Sequence, residues 1–192
     1  MKKFLIVAVA GVMALLLSSC FVMQGFSVKA TSLVPGKGTK AVFVLHPAST
    51  TATKYYEFVL VGVDDGGDLS VGKAKWGTNG TFGGPFAMSY RASLDDLVAT
   101  DGTCSSYGFN FASVTGITWK GFLTPNLVND KGRVDTKVVV QVGVKAAAGA
   151  ASGSEPVIGV SGWYQDVNDD GNLDAGDVYF CTGSSSVSLY VK

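Results

Sequence analysis

Residues 166 to 177 read DVNDDGNLDAGD, and no other stretch of the chain concentrates so much chemistry. Counted from Asp166, oxygen-bearing side chains fall at positions one, three and five, as Asp166, Asn168 and Asp170. Gly171 follows at position six, Asn172 at seven, Asp174 at nine and Asp177 at twelve. A hard divalent cation takes about six to eight oxygens, and a chain supplies them when alternate side chains point inward around a tight turn. Gly171 permits the bend that a Cβ would obstruct. Asn172 offers its backbone carbonyl, Asp174 binds directly or through water, and Asp177 closes the shell. Five aspartates within twelve residues repel one another unless a cation neutralises them. Calcium suits such a ligand set. A solvated acidic turn without an ion is the alternative.

The loop resembles those of EF-hand proteins, and more closely those of dockerins, which also end in Asp rather than Glu. The likeness covers twelve of 192 residues and implies calcium ligation by Asp166, Asn168, Asp170, Asn172, Asp174 and Asp177. In those families a helix follows the loop, and dockerins carry two loops. Here Val178 to Thr182 is β-branched and aromatic, the composition of a strand. Asp64-Asp65-Gly66-Gly67-Asp68 is acidic but lacks the spacing. The resemblance therefore implies the ion, and implies neither a dockerin fold nor cohesin binding.

The start of the chain carries a second chemistry. Met1-Lys2-Lys3 is basic, Phe4 to Leu17 is an apolar run, and Leu17-Ser18-Ser19-Cys20 ends it, which is the layout of an export signal. The last four residues resemble a bacterial lipobox. That likeness implies cleavage after residue 19 and a diacylglycerol on the sulfur of Cys20, leaving residues 20–25 as a lipidated tether. The implied address is the cell envelope: the outer membrane in a diderm cell, otherwise the outer face of the plasma membrane. A plain transmembrane anchor is the alternative, although fourteen apolar residues fall short of the roughly 20 needed to span a bilayer.

The remaining 173 residues suffice for one domain, placed at 26–192. With Lys2 and Lys3 removed, thirteen basic side chains face fifteen acidic ones, and no basic patch is expected. Nucleic acid is therefore not an expected partner. With Cys20 acylated, Cys104 and Cys181 remain, and an oxidising compartment favours their pairing over two free thiols. Such a bridge contributes on the order of 4 kcal/mol, less any strain.

The elements that must position these groups read as strands. Alternating or apolar runs separated by turn residues occur at 26–30, 41–45, 55–63, 107–111, 116–123, 134–144, 157–164, 178–182 and 187–191. Leu69 to Trp76 reads as the hairpin partner of Tyr55–Val63, across the turn Asp64-Asp65-Gly66-Gly67. Valines throughout 134–144 suggest a strand covered on both faces. Ala146 to Pro156 reads as a long loop. Ser93 caps a short expected helix near 94–99. About nine or ten strands at short spacing predict an all-β, immunoglobulin-like β-sandwich, with a barrel as second choice.

Other constellations are sparse. His46 is the single histidine, and it stands beside Pro47 at a strand end, a structural placement. Neither a zinc cluster nor a phosphate-binding glycine motif is present. The expectation is a non-enzyme: a membrane-anchored, calcium-stabilised sandwich with a binding or structural role, facing an envelope protein. A carbohydrate-binding surface module is an alternative, because Trp163 and Tyr164 precede the loop and flat aromatics stack on sugar rings. Trp76, Trp119 and Trp163 are otherwise ordinary core fillers. An envelope hydrolase using turn aspartates is the further alternative.

Overall fold

Valines at every second position build the strand on which one sheet is centred. In Val138–Ala146 the residues at 138, 140, 142, 144 and 146 are buried. Those between are half-buried or, at Lys145, exposed. Strand side chains point alternately to opposite faces, so one face of this strand enters the core. The structure, a computed structural model, describes residues 22–46, 55–78, 86–90, 111–123, 138–165, 167 and 178–192.

Eleven strands occur among the described residues. They are β1 (Val22–Val28), β2 (Ser32–Leu33), β3 (Gly38–His46), β4 (Tyr55–Asp64), β5 (Leu69–Thr78) and β6 (Phe86–Ala87). β7 (Ser89–Tyr90), β8 (Ile117–Leu123), β9 (Val138–Ala146), β10 (Gly153–Gln165) and β11 (Val178–Val191) follow. A five-stranded sheet runs β1-β3-β9-β5-β6, and a six-stranded sheet runs β2-β11-β10-β4-β8-β7. All pairings are antiparallel except β2 with β11. The sheets face each other as an immunoglobulin-like sandwich and do not close into a barrel. Phe43, Val140 and Val142 from one sheet meet Val59, Val61, Val157 and Leu189 from the other, all fully buried. Each such side chain contributes roughly 1.5–3 kcal/mol by leaving water.

A second core lies on the far side of the six-stranded sheet. β4 is apolar on both faces: Val59, Val61 and Val63 point between the sheets, and Phe58 and Leu60 point outward. The outward pair is 1% and 2% exposed and clusters with Leu123, Ile158, Val160, Cys181 and Phe111. Phe111 opens a short 3-10 helix, Phe111–Ser113, in the connection between β7 and β8. Phe111 and Val114, from the described end of that connection, pack on this face.

Several expectations are corrected. The strand covered on both faces is β4, not β9. β5 is not the hairpin partner of β4: the turn at Asp65–Asp68 carries the chain into the opposite sheet, with Gly67 at φ 86° and the Gly66 N–H donated to Asp64 Oδ2 at 2.9 Å. β1 begins at Val22, inside the stretch assigned to the tether, because residues 22–28 pair with β3. The loop expected at 146–156 shrinks to residues 147–152, which Asp68 ties down. Asp68 O accepts from Ala147 N–H at 2.9 Å and its Oδ1 from Ala151 N–H at 3.1 Å. Pro156 is tolerated in β10 because the β4 ladder starts only at Val157. Residues 178–182 and 187–191 are one strand, β11, with Gly183 to Ser186 in the ladder. The helix expected near 94–99 lies outside the described residues.

Candidate metal centre

The acidic loop sits at the tip of the longest hairpin. β10 and β11 pair from Gly153↔Val191 to Gln165↔Val178, and twelve residues join the last pair. The ladder thus reaches the loop's edge at both ends, one residue further on β10 than Tyr164. One irregularity interrupts it: Ser161 pairs with Gly183 and Gly162 with Cys181, so Thr182 is an extra residue on β11. A bulge of this kind sharpens the local twist and re-aims the strands beyond it. The buried Ser161 hydroxyl shares a 3.2 Å hydrogen bond with the Thr182 hydroxyl at that point. Gly183 leaves room for the first strand: a Cβ there would stand 2.8 Å from Met23 Cβ. The start of β1 therefore lies against the hairpin just below its tip.

Of the loop itself only Val167 is described, 54% exposed. Asp166, Asn168, Asp170, Asn172, Asp174 and Asp177 lie outside the described residues, as do Cys20 and Cys104. Among the described residues no group of three or more His, Cys, Asp or Glu is placed to hold a metal. Trp163 pairs in the ladder with Phe180 and Glu57, and Tyr164 with Tyr179 and Tyr56; their side chains lie outside the described set. Cys181 is 1% exposed and belongs to the outer cluster with Phe111, seven residues beyond Cys104. The other two tryptophans serve packing. Trp76 is 6% exposed in the main core. Trp119 is half-buried over Gly62 and meets Phe111 edge-on, with ring centroids 5.2 Å apart.

A second acidic group stands at the other end of β10. Asp64 and Asp68 each accept a backbone N–H, so their carboxylates hold turns. Glu155 lies near both, and its carboxyl is pushed above the usual range, first by partial desolvation and then by the charges of Asp64 and Asp68. No helix among the described residues is long and apolar enough to cross a membrane.

No protein-family model matches the chain, and no curated protein sequence matches it either. Solved structures share the architecture at low identity. AvmM, which catalyses macrocyclization in alchivemycin A biosynthesis, matches at TM-score 0.48 and 13% identity, over 90% of this chain and 89% of that one. The N-terminal domain of the Streptococcus gordonii adhesin Sgo0707 matches at 0.46 and 9%, over 88% of this chain and 32% of that one. A cohesin module from a Clostridium perfringens family 33 glycoside hydrolase matches at 0.43 and 11%, over 88% and 97% of the two chains. With every score below 0.5, none of these carries an argument about function.

Proposed function

We propose that the protein is a lipid-anchored cell-envelope lipoprotein, a β-sandwich with a binding or structural role, whose longest hairpin is pinned at its tip by calcium. The observation that supports the ion most directly is the Gln165↔Val178 pair. Paired residues in an antiparallel ladder stand about 5 Å apart. In sequence Asp166 follows Gln165 and Asp177 precedes Val178, and they are the first and last of the proposed ligands. A ladder that closes immediately before the loop supports a metal site, because a metal-closing loop needs its two ends near one another and five free carboxylates would oppose that. Asp166, Asn168, Asp170, Asp174, Asp177 and the Asn172 carbonyl would hold the ion.

The bridge between Cys104 and Cys181 belongs to the same proposal. It is supported by the burial of Cys181 beside Phe111, which lies seven residues beyond Cys104 in sequence. It would staple the connection between β7 and β8 to the six-stranded sheet. A non-catalytic role is supported by the engagement of Asp64 and Asp68 with backbone donors.

Chelation tests the reading. At a calcium concentration a hundredfold above Kd, the ion contributes about 2.7 kcal/mol. A domain of this size then melts roughly 5–10 °C lower in chelator. Asp170→Ala should abolish that response in the chain spanning residues 21–192. A melting curve indifferent to chelator removes calcium from the account.

A further inference from the structure

The strands of the five-stranded sheet contain no Asp or Glu. Lys40 on β3, Lys73 and Lys75 on β5, Lys145 on β9 and Lys29 just after β1 are all exposed. The register gathers them. Lys40 stands opposite Gly143, Lys75 opposite Gln141 and Lys145 opposite Ser70. Lys40 Nζ donates to Gln141 Oε1 at 2.9 Å, and Lys73 occupies the irregularity of β5 beside Gly143. Val42, Val44 and Val139 are half-buried among them. A basic patch that no run of sequence displays is thus assembled across three strands, on the face that points away from the core.

We propose that this face docks on an anionic phospholipid surface. The lysines supply compact, strongly hydrated point charges, which suit a diffuse layer of headgroups better than one bidentate ligand. No acid on these strands opposes the approach. Each lysine near such a surface raises affinity about fivefold. The approach is also favoured by continuity. β1 is the edge strand of this same sheet and begins at Val22, so only Phe21 would separate the fold from a lipid on Cys20. One residue spans no more than about 3.6 Å, too little for the domain to stand off the bilayer. This last step rests on the lipoprotein reading; the charge argument does not.

The test uses residues 21–192, which contain every described strand and lack Cys20, so that vesicle binding reads the face alone. Sedimentation is measured with vesicles of phosphatidylcholine and of phosphatidylcholine mixed with phosphatidylglycerol. Binding is expected only to the mixed vesicles, and it should fall as salt rises. The triple variant Lys40→Gln, Lys75→Gln, Lys145→Gln should bind about a hundredfold more weakly. Ser184→Glu, Ser186→Glu, Ser188→Glu changes the net charge equally on the six-stranded sheet and should stay within a fewfold of the parent. Both variants are first shown by their melting curves to be folded. Equal binding to both vesicle types, or equal losses from the two triple variants, overturns the proposal. Retention by an immobilised anionic polysaccharide with no vesicle binding also overturns it, and assigns the face to a glycan. None of these failures touches the lipoprotein reading, which stands or falls on fatty-acid incorporation at Cys20.

Discussion

The two sheets of the sandwich treat their outer faces in opposite ways. The six-stranded sheet turns Phe58, Leu60, Ile158 and Val160 outward and buries them in a cluster with Phe111, Val114 and Trp119. The five-stranded sheet turns Lys40, Lys75 and Lys145 outward and leaves them to solvent. The inner faces of both are apolar. The difference therefore lies in what covers each sheet, not in the sandwich itself. A strand can be apolar on both sides only where a third layer shields the second, and a bare face must keep ammonium groups or other polar ends in water.

Truncation on each outer face gives the widest separation. Leu60→Ala should cost about 2–5 kcal/mol, because the residue is 2% exposed and packs in the outer cluster with Phe58 and Val160. Val42→Ala, on the half-buried outer face of β3, should cost less than about 1 kcal/mol. Urea midpoints at constant m-value measure both. Equal losses would mean that the second core is not a core, and the contrast between the sheets would collapse.

Glycine replacement probes the same contrast with a smaller effect. A Cβ at Gly62 would meet Ile117 Cγ2 at 2.7 Å and the Trp119 ring at 2.9 Å. Gly62→Ala should therefore cost about 1–3 kcal/mol by displacing Trp119. A Cβ at Gly143, on the lysine face, would find its nearest neighbour at an ordinary 3.6 Å. Gly143→Ala should be neutral, or stabilising by up to about 1 kcal/mol through the unfolded chain. A loss at Gly143 as large as that at Gly62 would show that the lysine face is packed as tightly as the covered one.

These contrasts also mark what was legible in the sequence. Alternation along Val138–Ala146 and the turn residues around each strand were enough to predict an all-β sandwich, because the period of two is local. The double-sided run Phe58 to Val63 carried the signal of a covered strand, yet the valines of 134–144 drew that reading to β9. Partner choice was less legible. Asp64 to Leu69 looks the same whether the following strand pairs with β4 or crosses to the other sheet, since nothing local separates the two. Gly183 to Ser186 reads as a break, but Gly183 is needed where Met23 approaches. The lysine face was hidden because residues 29, 40, 73, 75 and 145 become neighbours only through the register. The acidic loop is the converse. Its ligands lie within twelve consecutive residues, so spacing alone makes it visible.

The smallest expected effect concerns the acids that the lysine-bearing strands lack. Asp64, Asp68 and Glu155 lie on the six-stranded sheet or on the turn that leaves it. Partial desolvation, Asp64 and Asp68 together hold the Glu155 carboxyl above its ordinary range. A raised pKa in the fold means that the protonated form is the favoured one. Its stabilising contribution is then fully present at low pH and is lost as pH rises through the raised value. Glu155→Gln removes that loss and should melt higher than the parent at neutral pH. The gain should be no more than about 2 °C, because the group is mostly solvated and screened. Below the carboxylate range the two curves should coincide. Reversal of the order, with the variant melting lower at neutral pH, would mean that Glu155 is held by a cation rather than crowded by its neighbours, and the division of charge between the two sheets would need redrawing.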